Sequence, residues 1–143
     1  MIQSFSHIYL PSRDVDEAIA FYTQKLGFKL LRKYTTNGRL SAYVELGRIL
    51  LELSTSTTTP STDGRSELRI GLIVDDMDRT LTELRAKGVE VAREPWAAMT
   101  FWGRQAQIRD PSGWLISLRE YRSPDGPTFP DWQPDQPDVV RLA

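Results

Sequence analysis

Ser6-His7-Ile8-Tyr9-Leu10 begins a pattern that organises the whole chain. Its apolar residues alternate with other residues, which is the period-two pattern of a half-buried strand. A helix is predicted to begin at Asp14, because a carboxylate there can accept hydrogen bonds from the unpaired N–H groups of the first helical turn. Apolar side chains follow at helical spacing, and Gly27 is predicted to end the helix.

The same order recurs in the second half of the chain. Arg69-Ile70-Gly71-Leu72-Ile73-Val74 is the corresponding strand, a second helix is predicted to begin at Asp76, and Gly88 ends it. Aligning the two copies places Arg69 where the first copy has His7, which is the only histidine in the protein. This exchange of a histidine for an arginine is the most informative difference between the copies.

Each copy is predicted to continue with three further strands. These strands are residues 28–31 continued by 34–37, 39–46 and 49–53 in the first copy, and residues 89–92, 101–109 and 114–118 in the second. Residues 95–100 are predicted to form a loop with an exposed Trp96, and Asp110-Pro111-Ser112-Gly113 a turn. We therefore predict a single domain of two modules, 1–57 and 66–122, joined by a linker at 58–65 that is rich in Ser and Thr.

The bulk composition limits the class of protein. The 143-residue chain has no cysteine, which excludes disulfides and thiolate metal sites. Its formal net charge is -1, with acidic and basic residues interspersed, so we expect neither a nucleic-acid partner nor a membrane partner. Because the sequence has no long apolar run and no targeting pattern, we expect a soluble, cytoplasmic protein.

The C-terminal segment, residues 123–143, differs in composition from the rest of the chain. It contains five of the nine prolines together with Phe129 and Trp132. Such a segment favours an extended or polyproline-like conformation over helix or sheet. Two interpretations remain open from the sequence: a disordered tail, or a strap docked by its two aromatic side chains.

Three stretches together give a resemblance to a known family. They run from His7-Ile8-Tyr9-Leu10 to Phe28, from Val74-Asp75-Asp76 to Val89, and from Asp110 to Ile116. With the two copies of strand, helix and three strands, they resemble the vicinal oxygen chelate superfamily, which is the group of glyoxalase I, bleomycin-resistance proteins and extradiol dioxygenases. The resemblance covers residues 3–121. It implies an α+β fold of two βαβββ modules whose curved mixed sheets enclose a shared cavity, and it implies a homodimer.

The glyoxalase I branch of this family holds a divalent metal at the first and last strand of each module. By position, the resemblance assigns these places to His7, Glu52, Arg69 and Ser117. The first two residues match the ligand types, but an arginine is always cationic and offers no lone pair, and a serine is a poor neutral ligand. Two ligands fall short of the three that a catalytic zinc usually has. We therefore expect no cofactor, with a divalent metal at His7 and Glu52 as the alternative.

His7, Arg69 and Glu52 each have more than one interpretation, and some of these are purely structural. His7 could be a metal ligand, a hydrogen-bonding or acid–base residue in a pocket, or a satisfied core histidine. Arg69 could be a solvated residue at the edge of the sheet. Glu52 lies among apolar neighbours, where a carboxylate is rarely buried without a partner, so it either faces a polar cavity or has a cationic partner.

Three functional hypotheses follow. The leading one is a metal-independent binding protein for a small aromatic or anionic, antibiotic-like molecule, as in drug-binding members of the family. The second is a metal-dependent lyase, isomerase or dioxygenase that uses an incomplete site at His7 and Glu52. The third is a non-catalytic partner subunit.

The charges of the metal positions lead to a specific expectation for Arg69. Without a metal, Glu52 would be an uncompensated anion in a cavity wall, and such a charge costs several kcal/mol when buried. An arginine can bind a carboxylate through two parallel N–H bonds. We therefore predict that Arg69 approaches Glu52, within one chain or across a dimer, with His7 nearby.

Overall fold

The computed structural model describes most of the chain. The described residues are 1, 3–58, 60, 68–123, 126–128, 133–134 and 137–142. They form two compact units, which we call the first unit (Met1–Glu67 with Asp110–Trp114) and the second unit (Leu68–Arg109 with Leu115–Ala143). Most of the predicted linker lies outside the described residues. Phe129 and Trp132 also lie outside them, so the interpretation of the C-terminal segment as a docked strap stays a prediction.

The first unit contains a helical segment and one four-stranded sheet. Its elements are β1 (Ile8–Ser12), α1 (Val15–Ala20), β2 (Lys29–Thr36), β3 (Arg39–Leu46) and β4 (Ile49–Thr55), and a π-helical turn, Phe21–Lys25, continues α1. The strand order is β1-β4-β3-β2, with β1 parallel to β4 and the other pairs antiparallel. The predicted stop at Gly27 is confirmed, because this residue has a φ of 80° that a side chain would strain.

The second unit repeats this arrangement. Its elements are β5 (Arg69–Ile73), α2 (Met77–Ala86), β6 (Glu90–Ala97), β7 (Gly103–Arg109) and β8 (Leu115–Tyr121), with a short 3-10 turn at Gly126–Thr128. The strand order β5-β8-β7-β6 again pairs the first strand with the last in parallel. The predicted α+β fold of two βαβββ modules with mixed sheets is therefore confirmed. The shared cavity stays a prediction.

The sequence determines where both helices begin. Asp14 Oδ1 accepts a hydrogen bond of 3.0 Å from the backbone N–H of Glu17, and Asp76 Oδ1 accepts one of 2.9 Å from Arg79. These bonds satisfy donors that the first helical turn leaves unpaired. Asp14 and Asp76 are thus confirmed as helix caps.

Each helix packs on one face of its own sheet. In the first unit the fully buried side chains include Leu10, Leu51 and Leu53, and in the second they include Ile116 and Leu118. Successive residues of a strand point to opposite faces, so the residues between these positions lie on the other face. Glu52 of the first sheet and Ser117 of the second lie on that second face, and the candidate site is built on it.

The turn at residues 110–113 has the predicted form. The N–H of Gly113 donates to the carbonyl of Asp110 at 2.9 Å, and Gly113 has a φ of 98°. The Asp110 carboxylate accepts bonds from the N–H groups of Ser112 and Trp114, and from the hydroxyl of Tyr22 at 3.1 Å. Burial raises the pKa of Asp110 above its ordinary value. This turn is therefore a structural part of the first unit.

Two predicted boundaries in the second unit are wrong. The loop expected at 95–100 is largely strand, because β6 continues through Pro95 and Trp96, and Trp96 is half-buried under Arg93, whose guanidinium carbon lies 3.7 Å from the ring. The register shifts between Arg93 and Trp96, and such a bulge accommodates a proline that cannot donate to the ladder. The last strand also extends beyond 118 to Tyr121. None of the helices in the described part of the chain has the length and apolar character needed to cross a bilayer.

Candidate functional site

Glu52 is the centre of the polar face of the first sheet. It lies in β4 between Leu51 and Leu53, which are fully buried on the helix side, so its carboxylate is on the opposite face. Its neighbours in register are Tyr9 of β1 and Tyr43 of β3. The sheet therefore surrounds this carboxylate with aromatic side chains.

Two side chains of the same unit bind the Glu52 carboxylate. Nε2 of His7 lies 3.0 Å from Oε2, and the hydroxyl of Tyr34 donates to Oε1 at 2.8 Å. The Glu52 side chain is 18% exposed and that of His7 is 33% exposed, so the contact is partly shielded from water. The structure thus brings His7 and Glu52 together, and it gives Glu52 partners within its own unit.

Aromatic stacking holds this network in place. The rings of Tyr34 and Tyr43 are stacked with centroids 5.7 Å apart, and the His7 ring meets the edge of Tyr43 at the same distance. Partial burial raises the pKa of Tyr34 well above its ordinary value of 10.0, and its neighbours Tyr43 and Glu52 add to this effect. Tyr34 therefore remains a hydrogen-bond donor throughout the neutral range.

A pocket of about 280 Å³ opens beside Glu52. Its lining combines aromatic, hydroxyl, amide and cationic groups. These are Tyr9, Tyr34, Thr36, Asn37, Arg39, Ser41, Glu52 and Ser54. Within it Ser41 and Ser54 share a hydrogen bond of 2.9 Å, and Arg39 donates to the carbonyl of Thr55 at 2.8 Å. The pocket volume is just below the range of about 300–1,000 Å³ that is typical of small-molecule sites, so the pocket suits an aromatic or polar group of a small ligand.

The corresponding face of the second sheet has different side chains. Ser117 of β8 pairs in register with Gly71 of β5, just as Glu52 pairs with Tyr9 in the first sheet. Arg69 is exposed at the start of β5, where it pairs with Leu115. In the described residues no hydrogen bond joins Arg69 to Ser117. The expected contact between Arg69 and Glu52 relates the two units and stays a prediction.

The second sheet also carries a cation that the sequence analysis missed. Arg119 lies in β8 two residues after Ser117, and its guanidinium carbon is 5.2 Å from the centre of the Phe101 ring. Its Nη1 donates a long bond of 3.4 Å to the hydroxyl of Tyr121, while its Nε is buried without a hydrogen-bond partner. The sequence analysis ended the last strand at Leu118, which removed Arg119 from the sheet. The alternation of Ser117, Arg119 and Tyr121 would have placed it on the polar face.

Tyr34 is the other functional candidate that the sequence did not reveal. The Asn37-Gly38 pair contains the signal, because this sequence favours a hairpin turn, and the turn fixes the pairing of Tyr34 with Ser41. Ser41 in turn pairs with Ser54, two residues from Glu52 on the same strand. Following this register across three strands places Tyr34 on the face of Glu52.

The divalent metal implied by the fold family does not fit the residues that are present. His7 and Glu52 supply two donors in the first unit, and the equivalent positions of the second unit hold an arginine and a serine. Across the part of the chain that the structure describes, no three His, Cys, Asp or Glu side chains are grouped to hold an ion. A metal site usually needs at least three protein ligands.

Comparison with known proteins places this geometry in a family. The model for the Glyoxalase/Bleomycin resistance protein/Dioxygenase superfamily matches residues 4–118. A probable chloroplastic lactoylglutathione lyase of Arabidopsis thaliana is 34% identical over 121 residues, which are 80% of this chain but 35% of that protein. A probable lactoylglutathione lyase of Synechocystis is 32% identical over 119 residues, covering 78% of this chain and 91% of the relative.

The solved structures agree with this assignment at the level of the fold. The crystal structure of SMU.1112c superposes with a TM-score of 0.73 at 23% identity, covering 84% of this chain and 100% of that one. The chain spans 35% and 43% of the length of two Arabidopsis thaliana relatives that it matches. From the family match and the two βαβββ units, the chain belongs to the Glyoxalase/Bleomycin resistance protein/Dioxygenase superfamily.

Proposed function

We propose that this chain is a metal-independent binding protein for a small aromatic or anionic, antibiotic-like molecule. The observation that carries the proposal is the state of Glu52, whose two carboxylate oxygens are bound by His7 and Tyr34 next to the pocket of about 280 Å³. A carboxylate already satisfied in this way stabilises the wall of a pocket, and it has little need of a metal ion as counter-charge.

The pocket lining supports an organic ligand. Tyr9 is 45% exposed and Tyr34 is half-buried, so both rings offer an apolar surface beside polar hydroxyl groups. Aromatic walls with a few oriented polar groups are typical of small-molecule sites. The superfamily's description includes bleomycin resistance proteins, which is in keeping with a ligand of this kind.

A competing function is a metal-dependent lyase, isomerase or dioxygenase that uses His7 and Glu52. Two observations favour it: the two side chains lie 3.0 Å apart, and relatives at 34% and 32% identity are named lactoylglutathione lyases. Against it stands the donor set, which lacks a third ligand of a suitable type within each unit. The enzyme requires a bound metal in the active protein, whereas the binding function does not.

A thermal-shift screen against antibiotics and aromatic acids tests the binding function. We expect at least one compound to raise the melting temperature of the metal-free protein. Tyr9→Ala removes an exposed wall of the pocket, so it should reduce that rise. Phe5→Ala is the matched control, since Phe5 is an aromatic residue that is 69% exposed and outside the pocket lining. A rise that requires added metal in the wild type would favour the enzyme instead.

We also propose that the chain forms a homodimer. In the first unit the exposed apolar residues include Leu30, Leu31 and Ile49, and such surface favours a protein partner when it is contiguous. Light scattering should then give twice the chain mass of 16.3 kDa at micromolar concentration. A species with the mass of one chain would contradict the dimer. Isolation together with a different subunit would favour the third hypothesis, a non-catalytic partner subunit.

The cytoplasmic location stays a prediction.

A further inference from the structure

We propose that Arg119 is the residue with which the second unit binds an oxyanion, a carboxylate or phosphoryl group. This inference goes beyond the proposed binding function, which concerns the pocket of the first unit. It concerns the face of the second sheet that includes Ser117, at a position that the resemblance did not assign to any role.

The backbone of β5 and β8 places the Arg119 guanidinium on that face. Ser117, Arg119 and Tyr121 alternate with Ile116 and Leu118, which are buried on the helix side. A Cβ built on Gly71 would lie 3.9 Å from Nε of Arg119, so the side chain extends over β5. Gly71 stands where the first sheet has Tyr9, and the missing side chain leaves the guanidinium room to lie there.

Arg119 leaves most of its hydrogen-bond donors without a partner among the described residues. A guanidinium has five N–H donors, and in the described residues Arg119 uses one of them, in the 3.4 Å bond to Tyr121. Its buried Nε has no partner, and a buried unsatisfied donor costs about 1–3 kcal/mol. No carboxylate of the described residues forms an ion pair with it. The side chain as a whole is half-buried, so its unused Nη donors are suited to an anion that arrives from solution.

Other arginines of the second unit have carboxylate partners, unlike Arg119 in the described part of the chain. Arg104 binds Glu120 at 2.7 Å and Asp78 at 3.1 Å, and Arg109 binds Glu90 at 3.1 Å. These cations are neutralised by side chains of their own unit. Arg119 instead packs over the Phe101 ring, and this contact holds the guanidinium plane in one place. A guanidinium that is already oriented can bind a carboxylate or phosphate with two parallel bonds and little loss of freedom.

Nuclear magnetic resonance of arginine Nε–H groups tests this directly. Inorganic phosphate is titrated into ¹⁵N-labelled protein at constant ionic strength, and sodium chloride serves as the comparison salt. We expect a saturable shift of the Arg119 Nε–H resonance with phosphate and none with chloride. In the Arg119 variants, which lack this resonance, binding is followed through the backbone N–H resonances of β5 and β8. Arg119→Gln should weaken phosphate binding about tenfold or more, because a bidentate charged contact is lost. Arg48→Gln is the matched control, since Arg48 is an exposed residue of the first unit with the same change in charge.

Arg119→Lys adds a second test that does not depend on charge removal. Lysine keeps the charge but not the two parallel N–H bonds, so its phosphate affinity should lie between those of the wild type and Arg119→Gln. Benzoate and benzamide extend the test to organic ligands. Benzoate should shift the Arg119 resonance, and its neutral amide should not. A phosphate response that is absent, that does not saturate or that is unchanged in Arg119→Gln would overturn the inference.

The failures of the two proposals are distinguishable. If uncharged aromatic compounds stabilise the protein while phosphate and benzoate leave the Arg119 resonance unchanged, the binding function stands and the role of Arg119 is wrong. If the resonance responds to phosphate but no organic compound of the screen stabilises the protein, the oxyanion contact stands and the binding function is wrong.

Discussion

The polar faces of the two sheets share a strand order and a register but carry opposite charges. In the first sheet Glu52 is an anion whose partners, His7 and Tyr34, belong to the same unit. In the second sheet Arg119 is a cation whose buried Nε has no partner among the described residues. Three exchanges at equivalent positions account for the contrast. They are Tyr9 for Gly71, Glu52 for Ser117, and Ser54 for Arg119.

This difference teaches how one architecture can supply two kinds of surface. A carboxylate that accepts bonds from neighbours stabilises its own unit and fixes the shape of a pocket wall. An incompletely bonded guanidinium stabilises its unit little, because its desolvation is not compensated until an anion binds. The first face is therefore suited to shaping a pocket, and the second to recognising a charged group.

The largest expected effect is the loss of stability on removing the Glu52 charge, compared with removing the Arg119 charge. Glu52→Leu leaves the Tyr34 hydroxyl and His7 without their acceptor, and it should lower the free energy of unfolding by about 1–2 kcal/mol after allowance for partial exposure. Arg119→Met removes an unsatisfied buried donor, which is favourable, and also the contact over the Phe101 ring, which is unfavourable. Because the two effects oppose each other, it should change the free energy of unfolding by less than about 0.5 kcal/mol. Urea denaturation of both variants measures the difference. A greater loss in Arg119→Met would break the comparison.

Acid should affect the ion pairs of the second unit. Arg104 holds the pKa of Glu120 below its ordinary value of 4.5, and the bond from the N–H of Met77 has the same effect. A lowered pKa means that this stabilisation is present above pH 4.5 and is lost as the pH falls through the lower folded-state value. The melting temperature of the wild type should exceed that of Glu120→Gln by about 3 °C at neutral pH.

The same experiment at low pH completes this test. Protonated Glu120 and the glutamine side chain are both neutral, so the gap between the two melting curves should close in acid. Because the quantity is a difference between two proteins, other titrating groups such as the buried Asp110 contribute equally to both. A gap that persists in strong acid would show that charge is not its cause.

Alkali should affect the network of the first unit. The pKa of Tyr34 is raised, so the stabilisation from its neutral hydroxyl is fully present below the unfolded value near 10.0 and is lost as the pH rises through the folded value. Tyr34→Phe should therefore cost about 1 kcal/mol of unfolding free energy at neutral pH, the net value of one hydrogen bond. The two proteins should converge at high pH, as measured by urea denaturation. An equal gap at neutral and strongly alkaline pH would contradict the role of the hydroxyl.

The smallest effect concerns Gly71, which leaves space for Arg119. Its added Cβ would meet Nε of Arg119 at 3.9 Å, an ordinary contact, so Gly71→Ala should fold normally. It should raise the free energy of unfolding by about 0.5 kcal/mol, since alanine loses less freedom in a strand than glycine. Gly71→Tyr would instead copy the first sheet and displace the guanidinium. The phosphate response of Arg119 should survive the first substitution and be lost in the second.

The sequence predicted the repeat and the helix caps, because each depends on local residue patterns. The partner that it predicted for Glu52 was Arg69, and that contact stays a prediction. The sequence did not predict that Tyr34 would bind Glu52, since this contact needs the register of three strands at once. Arg119 was missed for a different reason. The expected end of β8 at Leu118 was a boundary error of three residues, and it removed the charged end of the strand from the analysis. The Trp96 strand was missed because a proline suggested a loop.

Metal content tests the account most directly. The protein is purified without chelator, and bound nickel, zinc, iron and manganese are measured per chain before and after dialysis against each metal. We expect substoichiometric metal in the wild type, and a gain in the double variant Arg69→His with Ser117→Glu, which restores the ligand types that the resemblance assigns. Stoichiometric metal in the wild type that is lost in Glu52→Gln would contradict the metal-independent function.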